Sequence, residues 1–151
     1  MRRALALILI LLAGPLAAQP ITYPKDTVTI ETASGAKHRF NVELATSPQQ
    51  IAQGLMFRRQ MAADAGMLFI FERPEPATFW MKNTYIPLDM IFIKEDGTVE
   101  SIAERTTPLS RRSVASKGEV RYVLEINGGL SDELGIKPGD RVTGPAIKGL
   151  N

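Results

Sequence analysis

The chain has no cysteine. Disulfides are therefore excluded, and so is the lipid that a lipoprotein carries on a cysteine after its signal. An oxidising compartment is tolerated without being exploited. Histidine is almost as scarce, with His38 standing alone. Without thiolates and with one imidazole, an ordinary zinc or iron–sulfur site lacks its ligand set, and no cofactor is expected. No serine, threonine or lysine nucleophile stands in a recognisable catalytic motif, and there is no glycine-rich phosphate loop. Past the first residues no apolar run is long enough to span a bilayer, because Lys94 and Asp96 end the run from Leu88 to Ile93.

What is present begins with a leader. Arg2 and Arg3 precede an unbroken apolar run from Ala4 to Ala13, which stops at Gly14 and Pro15. Ala17 and Ala18 then offer a small-residue cleavage site, so residues 1–18 are expected to be a signal peptide. The run falls well short of the roughly 20 residues of a membrane span, and an uncleaved anchor is the competing reading. Cleavage would leave residues 19–151 as one domain, periplasmic or secreted and expected to be a monomer. It would also remove two of the 18 basic side chains, leaving 16 against 16 acidic ones. A general attraction to nucleic acid or to a membrane surface is then unsupported, and no nucleic-acid partner is expected.

Along the chain, Thr27 to Glu31 and Arg39 to Leu44 alternate about a turn at Ala33 to Ala36, which predicts a β-hairpin. Ser47-Pro48-Gln49-Gln50 is a helix start: a serine cap, proline at the first helical position and glutamine three after the cap. That helix should be spent near Arg58 or Gln60. Gly66 to Phe71 predicts a strand ended by Pro74 and Pro76, and Thr78 to Asn83 and Leu88 to Ile93 two more. A turn at Lys94 to Gly97 returns the chain through Val99 to Ala103. Thr106 to Gly118 reads as a surface loop, followed by a strand at Val120 to Ile126, a helical turn at Leu130 to Leu134 and a last strand from Arg141 to Ala146. Short strands with turn signals and one capped helix predict a mainly β fold, a compact antiparallel sandwich or barrel with one or two short helices.

The most informative stretch is Phe79 to Ile93, FWMKNTYIPLDMIFI, where Lys82, Asn83 and Asp89 stand among residues built for burial. Buried charge is expensive unless paired. If Thr84 to Pro87 is a hairpin loop, Lys82 opposes Asp89 and Trp80 opposes Ile91 on one face. Two readings stay open. The pair is a register device covered by Trp80, or Trp80 floors a pocket whose polar groups are Lys82, Asn83 and Asp89, with Arg58 as an anion contact.

This stretch, with Gln53 to Arg58 (QGLMFR), Gly66 to Phe69 (GMLF), Val123 to Ile126 (VLEI) and Gly135 to Asp140 (GIKPGD), resembles the DUF192 family over nearly all of the chain after the leader. The resemblance implies a mainly β sandwich of jelly-roll type and carries no established activity.

Glu125 is a further candidate, either a buried acid paired with an arginine or the solvent side of an edge strand, the second being slightly favoured. With Asp89 it could form a carboxylate pair of the glycosidase kind. Met56, Met61, Met67, Met81 and Met90 allow a thioether copper(I) site, although scattered methionines are more often core filler. Arg105, Arg111, Arg112, Lys117 and Arg121 could meet anionic glycan or lipid headgroups, or be a solvated loop. The leading expectation is a non-catalytic cell-envelope domain that binds a small polar molecule, a saccharide or a peptide through Arg58, Trp80, Lys82, Asn83 and Asp89. An envelope hydrolase using Asp89 or Glu125 and a pocketless interaction protein are the alternatives, so whether the chain is an enzyme stays open.

Overall fold

The computed structural model describes residues 20–147. The expected signal peptide lies outside them. Seven strands, β1 (Lys25–Glu31), β2 (Lys37–Ala45), β3 (Ala65–Phe79), β4 (Leu88–Ile93), β5 (Val99–Thr106), β6 (Val114–Asn127) and β7 (Arg141–Thr143), form one sheet in the order β5-β4-β6-β3-β2-β1-β7. It curls into a half-barrel, and its two edges meet at a bridge between Thr98 and Arg141. The fold is mainly β, as the strand and turn signals predict.

The β1–β2 hairpin forms where alternation places it, with Val28 opposite Phe40 and Ile30 opposite His38. The helix α1 (Pro48–Gln53) is started by the predicted capping box: Ser47 accepts from the Gln50 amide, and the Gln50 side chain accepts from the Ser47 amide. It ends earlier than expected, at Gly54. There φ is +48°, and a Cβ would press to 3.1 Å from the Phe69 ring, so the chain turns where only glycine fits. This helix lies on the crossover between β2 and β3, the one parallel pair in the sheet, and parallel neighbours require such a connection.

Four expectations are corrected. β3 does not stop at Pro74 and Pro76 but runs to Phe79, with register shifts between Ile70 and Glu75 and between Pro76 and Thr78. A bulge leaves the prolines no ladder bond to donate, which is why a strand can contain them. β6 begins at Val114, inside the predicted loop. β7 ends at Thr143, short of Ala146.

The fourth concerns pairing. β4 does not pair back onto the segment before it; it lies between β5 and β6, with Asp89 opposite Ile126 and Met90 opposite Glu125. Residues 80–87 form a loop instead of half a hairpin, so Lys82 does not oppose Asp89. Long-range pairing wins because β4 is apolar on both faces and every one of its residues is buried, which requires a neighbour on each side and a layer above and below.

Two cores result. One fills the inside of the curl with Val28, Phe40, Leu68, Ile91, Leu124 and Ile126, and the short helix α2 (Leu130–Leu134) packs against it. The other lies on the outer face of β3, β4 and β6, where Met67, Phe69, Met90, Phe92 and Val123 are covered by Leu55, Ile51 and Met81.

Candidate functional site

Asp89 is fully buried. Its Oδ1 accepts from the backbone amides of Arg105 and Gly129, both at 2.8 Å, and Oδ2 accepts from the amide of Ser131 at 2.8 Å. Gly129 caps α2 without any side-chain cap of its own, so a carboxyl from the neighbouring strand satisfies amides that the helix start leaves free. The close approach is enforced at Gly128, where a Cβ would meet Pro87 at 3.0 Å. Asp89 is thus a staple joining β4, the end of β5 and α2. It neither pairs with Lys82 nor faces a ligand cavity.

Lys82 instead lies over Trp80, with Nζ 5.2 Å from the ring centroid. Trp80 is exposed, as are Phe57, Tyr85 and Leu109. Asn83 sits at φ +55° in a turn closed by the Thr84 amide on the Met81 carbonyl, a conformation asparagine tolerates. Arg58 is salt-bridged to Glu43 and lies over the Tyr23 ring. It lines a cleft of about 700 Å³ with Lys25, Asp26, Asn41 and Glu43. Two of its polar side chains are already engaged, Arg58 with Glu43 across the cleft and Asn41 with Asp64 beside it. The six sequence candidates therefore do not form one site. Trp80 and Lys82 share a loop with Asn83, Arg58 belongs to a separate cleft, and Asp89 is structural.

Glu125 is the residue whose setting the sequence misjudged most. It lies in a central strand, not at an edge, and it is 4% exposed. Directly opposed residues share a face, so Met67 on β3 and Met90 on β4 flank it on either side. Neither an arginine nor any other hydrogen-bond or ion-pair partner reaches its carboxyl among the described residues. Burial alone pushes its pKa up from 4.5 to about 8, because an apolar surround disfavours the charged form. It is a neutral acid at pH 7.

This acid lines a cavity of about 310 Å³. One wall is α1 and its end, with Ile51, Leu55 and Met56; another is the bulged part of β3, with Phe71, Ala77 and Phe79; Trp80 stands at the rim. The bulge matters here, since the irregular register of β3 turns these side chains over the face that Glu125 occupies. Only Glu75, which is exposed, adds a second titratable group to the lining.

Asp89 and Glu125 do not make a catalytic pair. Asp89 shares its face with Ile126, whereas Glu125 precedes Ile126 and projects the other way. The methionines serve as packing. Met67, Met81 and Met90 are buried in the outer core, the Met81 sulfur takes a hydrogen bond from Thr106, and Met56 is approached by Asn83. No helix among the described residues is long and apolar enough to cross a membrane.

Comparison with known proteins agrees with this architecture. A protein from Sinorhizobium meliloti 1021, named as a candidate transcription regulator, is 51% identical, with a TM-score of 0.81 over 83% of this chain and 98% of its own. A protein of unknown function from Novosphingobium aromaticivorans DSM 12444 is 44% identical, with a TM-score of 0.77 over 84% and 94%. No curated protein matches. The family model DUF192, described as an uncharacterized ACR, matches residues 29–144, and the chain belongs to that family.

Proposed function

We propose that this chain is a non-catalytic cell-envelope domain that takes a small molecule into the cavity above Glu125. The observation that carries this reading is an unpartnered, buried carboxyl at the wall of a cavity lined by apolar and polar side chains together. It has no protein partner among the described residues, in a fold that satisfies its other buried carboxyls, Asp89 and Asp140, with two or three amides each, so its hydrogen-bonding capacity is free for a ligand in the cavity. As a neutral acid it both donates and accepts a hydrogen bond. Aromatic and aliphatic walls with Gln53, Thr78, Thr84 and Glu125 among them suit an amphipathic ligand, such as a peptide side chain or a small molecule with an apolar body.

One observation favours a second reading, an enzyme using Glu125 as general acid, since a carboxyl held neutral at pH 7 is suited to that role. The cavity has no nucleophile poised beside it and no second buried acid, so binding is preferred. Transcriptional regulation, the role named for the Sinorhizobium protein, gains no support from these helices. They have six and five residues, too short for a recognition helix in a major groove.

The neutral dye N-phenyl-1-naphthylamine tests the cavity. It should brighten on mixing with the native protein. Thr78→Phe, at an exposed position of the cavity lining, should block it without lowering the melting temperature. Absence of any signal, or equal signal from Thr78→Phe, would count against the cavity as a binding site. The envelope location has its own check. Intact mass of the exported protein should place its N-terminus near Gln19, and retention of Met1 in a membrane fraction would refute the signal assignment.

A further inference from the structure

Three loops meet on one side of the molecule, at residues 54–63, 80–87 and 107–113. Backbone hydrogen bonds clip them together: the Phe57 amide to the Asn83 carbonyl, the Leu109 amide to the Thr84 carbonyl, and the Met81 amide to the Ser110 carbonyl. They carry every large hydrophobic side chain that is exposed among the described residues: Phe57, Trp80, Tyr85 and Leu109. Phe57 and Tyr85 touch edge to face at 6.3 Å. Large apolar side chains gathered and exposed on adjoining loops mark a candidate interaction site.

Two of these side chains are held out at conformational cost. Phe57 has φ +67° and Leu109 has φ +63°, the left-handed region that bulky residues avoid. The neighbouring turn shows the usual solution, an asparagine at Asn83. A turn with no other duty would carry glycine or asparagine at Phe57 and Leu109 too.

The charge carried by these three loops has one sign. The three loops contain Arg58, Arg59, Lys82, Arg111 and Arg112 and not one aspartate or glutamate. Arg58 is held by Glu43; the other four make no ion pair among the described residues. Two of them stand over the aromatics themselves, Lys82 on Trp80 and Arg59 on Tyr85 at 5.6 Å. The near-zero net charge expected after loss of the leader conceals this local excess.

We propose that this face docks on an anionic phospholipid bilayer. Phe57 and Leu109 enter the boundary between headgroups and acyl chains. Trp80 and Tyr85 lie at headgroup level, where amphipathic rings are favoured. Arg59, Lys82, Arg111 and Arg112 meet the phosphates, with their stems lying along the apolar surface. The pairing of exposed rings with unpaired cations and no acids fits a surface that is apolar below and anionic above. Trp80 also stands at the rim of the Glu125 cavity, although docking does not depend on that cavity being a ligand site.

Trp80 is the sole tryptophan, so its emission reports docking directly. With phosphatidylcholine vesicles containing phosphatidylglycerol, it should shift to the blue and be quenched by brominated acyl chains, and the protein should sediment with the vesicles. Phosphatidylcholine alone should bind it far less, and salt should weaken binding. Each of Arg59→Gln, Lys82→Gln, Arg111→Gln and Arg112→Gln should reduce partitioning about fivefold. The double variant Phe57→Asn with Leu109→Asn should lose partitioning while its melting temperature holds or rises. Equal binding to neutral vesicles, or undiminished binding by the asparagine variant, would overturn the proposal. Retention on polyglutamate or on a DNA duplex without binding to vesicles would also overturn it, assigning the face to an acidic macromolecule.

Discussion

Asp89→Ala is expected to destabilise the chain by about 2–6 kcal/mol, since two buried amides lose their acceptor at roughly 1–3 kcal/mol each, and a third, partly buried one can turn to water. Such a loss is a large part of the whole stability of a domain this size. The amides belong to Arg105, Gly129 and Ser131, so the end of β5 and the start of α2 should loosen first. Urea unfolding measures the total, and amide exchange at Gly129 and Ser131 locates it. Lys82→Met, by contrast, should cost only about 0.5 kcal/mol, the value of an exposed cation–π contact. Its coupling to Asp89 in a double-mutant cycle should be near zero. A coupling above about 1 kcal/mol would mean that the two residues meet after all.

Glu125 should make the protein less stable as pH rises. In the folded chain the carboxyl keeps its proton up to about pH 8, whereas the ordinary value is 4.5. Between those values the folded state binds more protons than the unfolded state, so stability falls with increasing pH. The favourable state, a neutral buried acid, is fully present below pH 4.5 and lost as pH passes about 8. The loss across that window amounts to about 4–5 kcal/mol. Glu125→Gln keeps the size and removes the titration, so its stability should be flatter with pH and exceed that of the native chain at alkaline pH. Urea denaturation across the pH range compares them. Parallel pH profiles for the two proteins would show that Glu125 is not held neutral.

The two residues invite the same question and receive opposite answers. Each is a carboxylate in an apolar run, and sequence alone treats them alike. Asp89 is satisfied by amides, which leave no trace in a sequence because every residue but proline carries one. Glu125 is left unsatisfied beneath a helix and a bulge contributed from elsewhere in the chain. A test that perturbs Asp89 reads folding, and one that perturbs Glu125 reads the cavity. Neither reports on the loops of Phe57, Trp80, Tyr85 and Leu109.

Much of the frame was determined by local chemistry. The β1–β2 hairpin follows from alternation about a turn, α1 from the Ser47–Gln50 box, and β4 from an apolar run too short for anything but a buried strand. The motif blocks were enough to identify the family. Tertiary structure alone decided which strands became neighbours. The hairpin between Thr78 and Ile93 looked sound because a short loop joins adjacent strands most cheaply. Yet β4, apolar on both faces, is better buried between β5 and β6, and that placement took Asp89 away from Lys82 and gave it three amides. In the same way, alternation stated that Glu125 and Val123 share a face, but not whether that face is wet or covered. The cover comes from α1 and the bulge in β3, more than forty residues away in the chain. Periodicity is a property of neighbours in sequence, and the burial that sets a carboxyl's protonation is a property of neighbours in space.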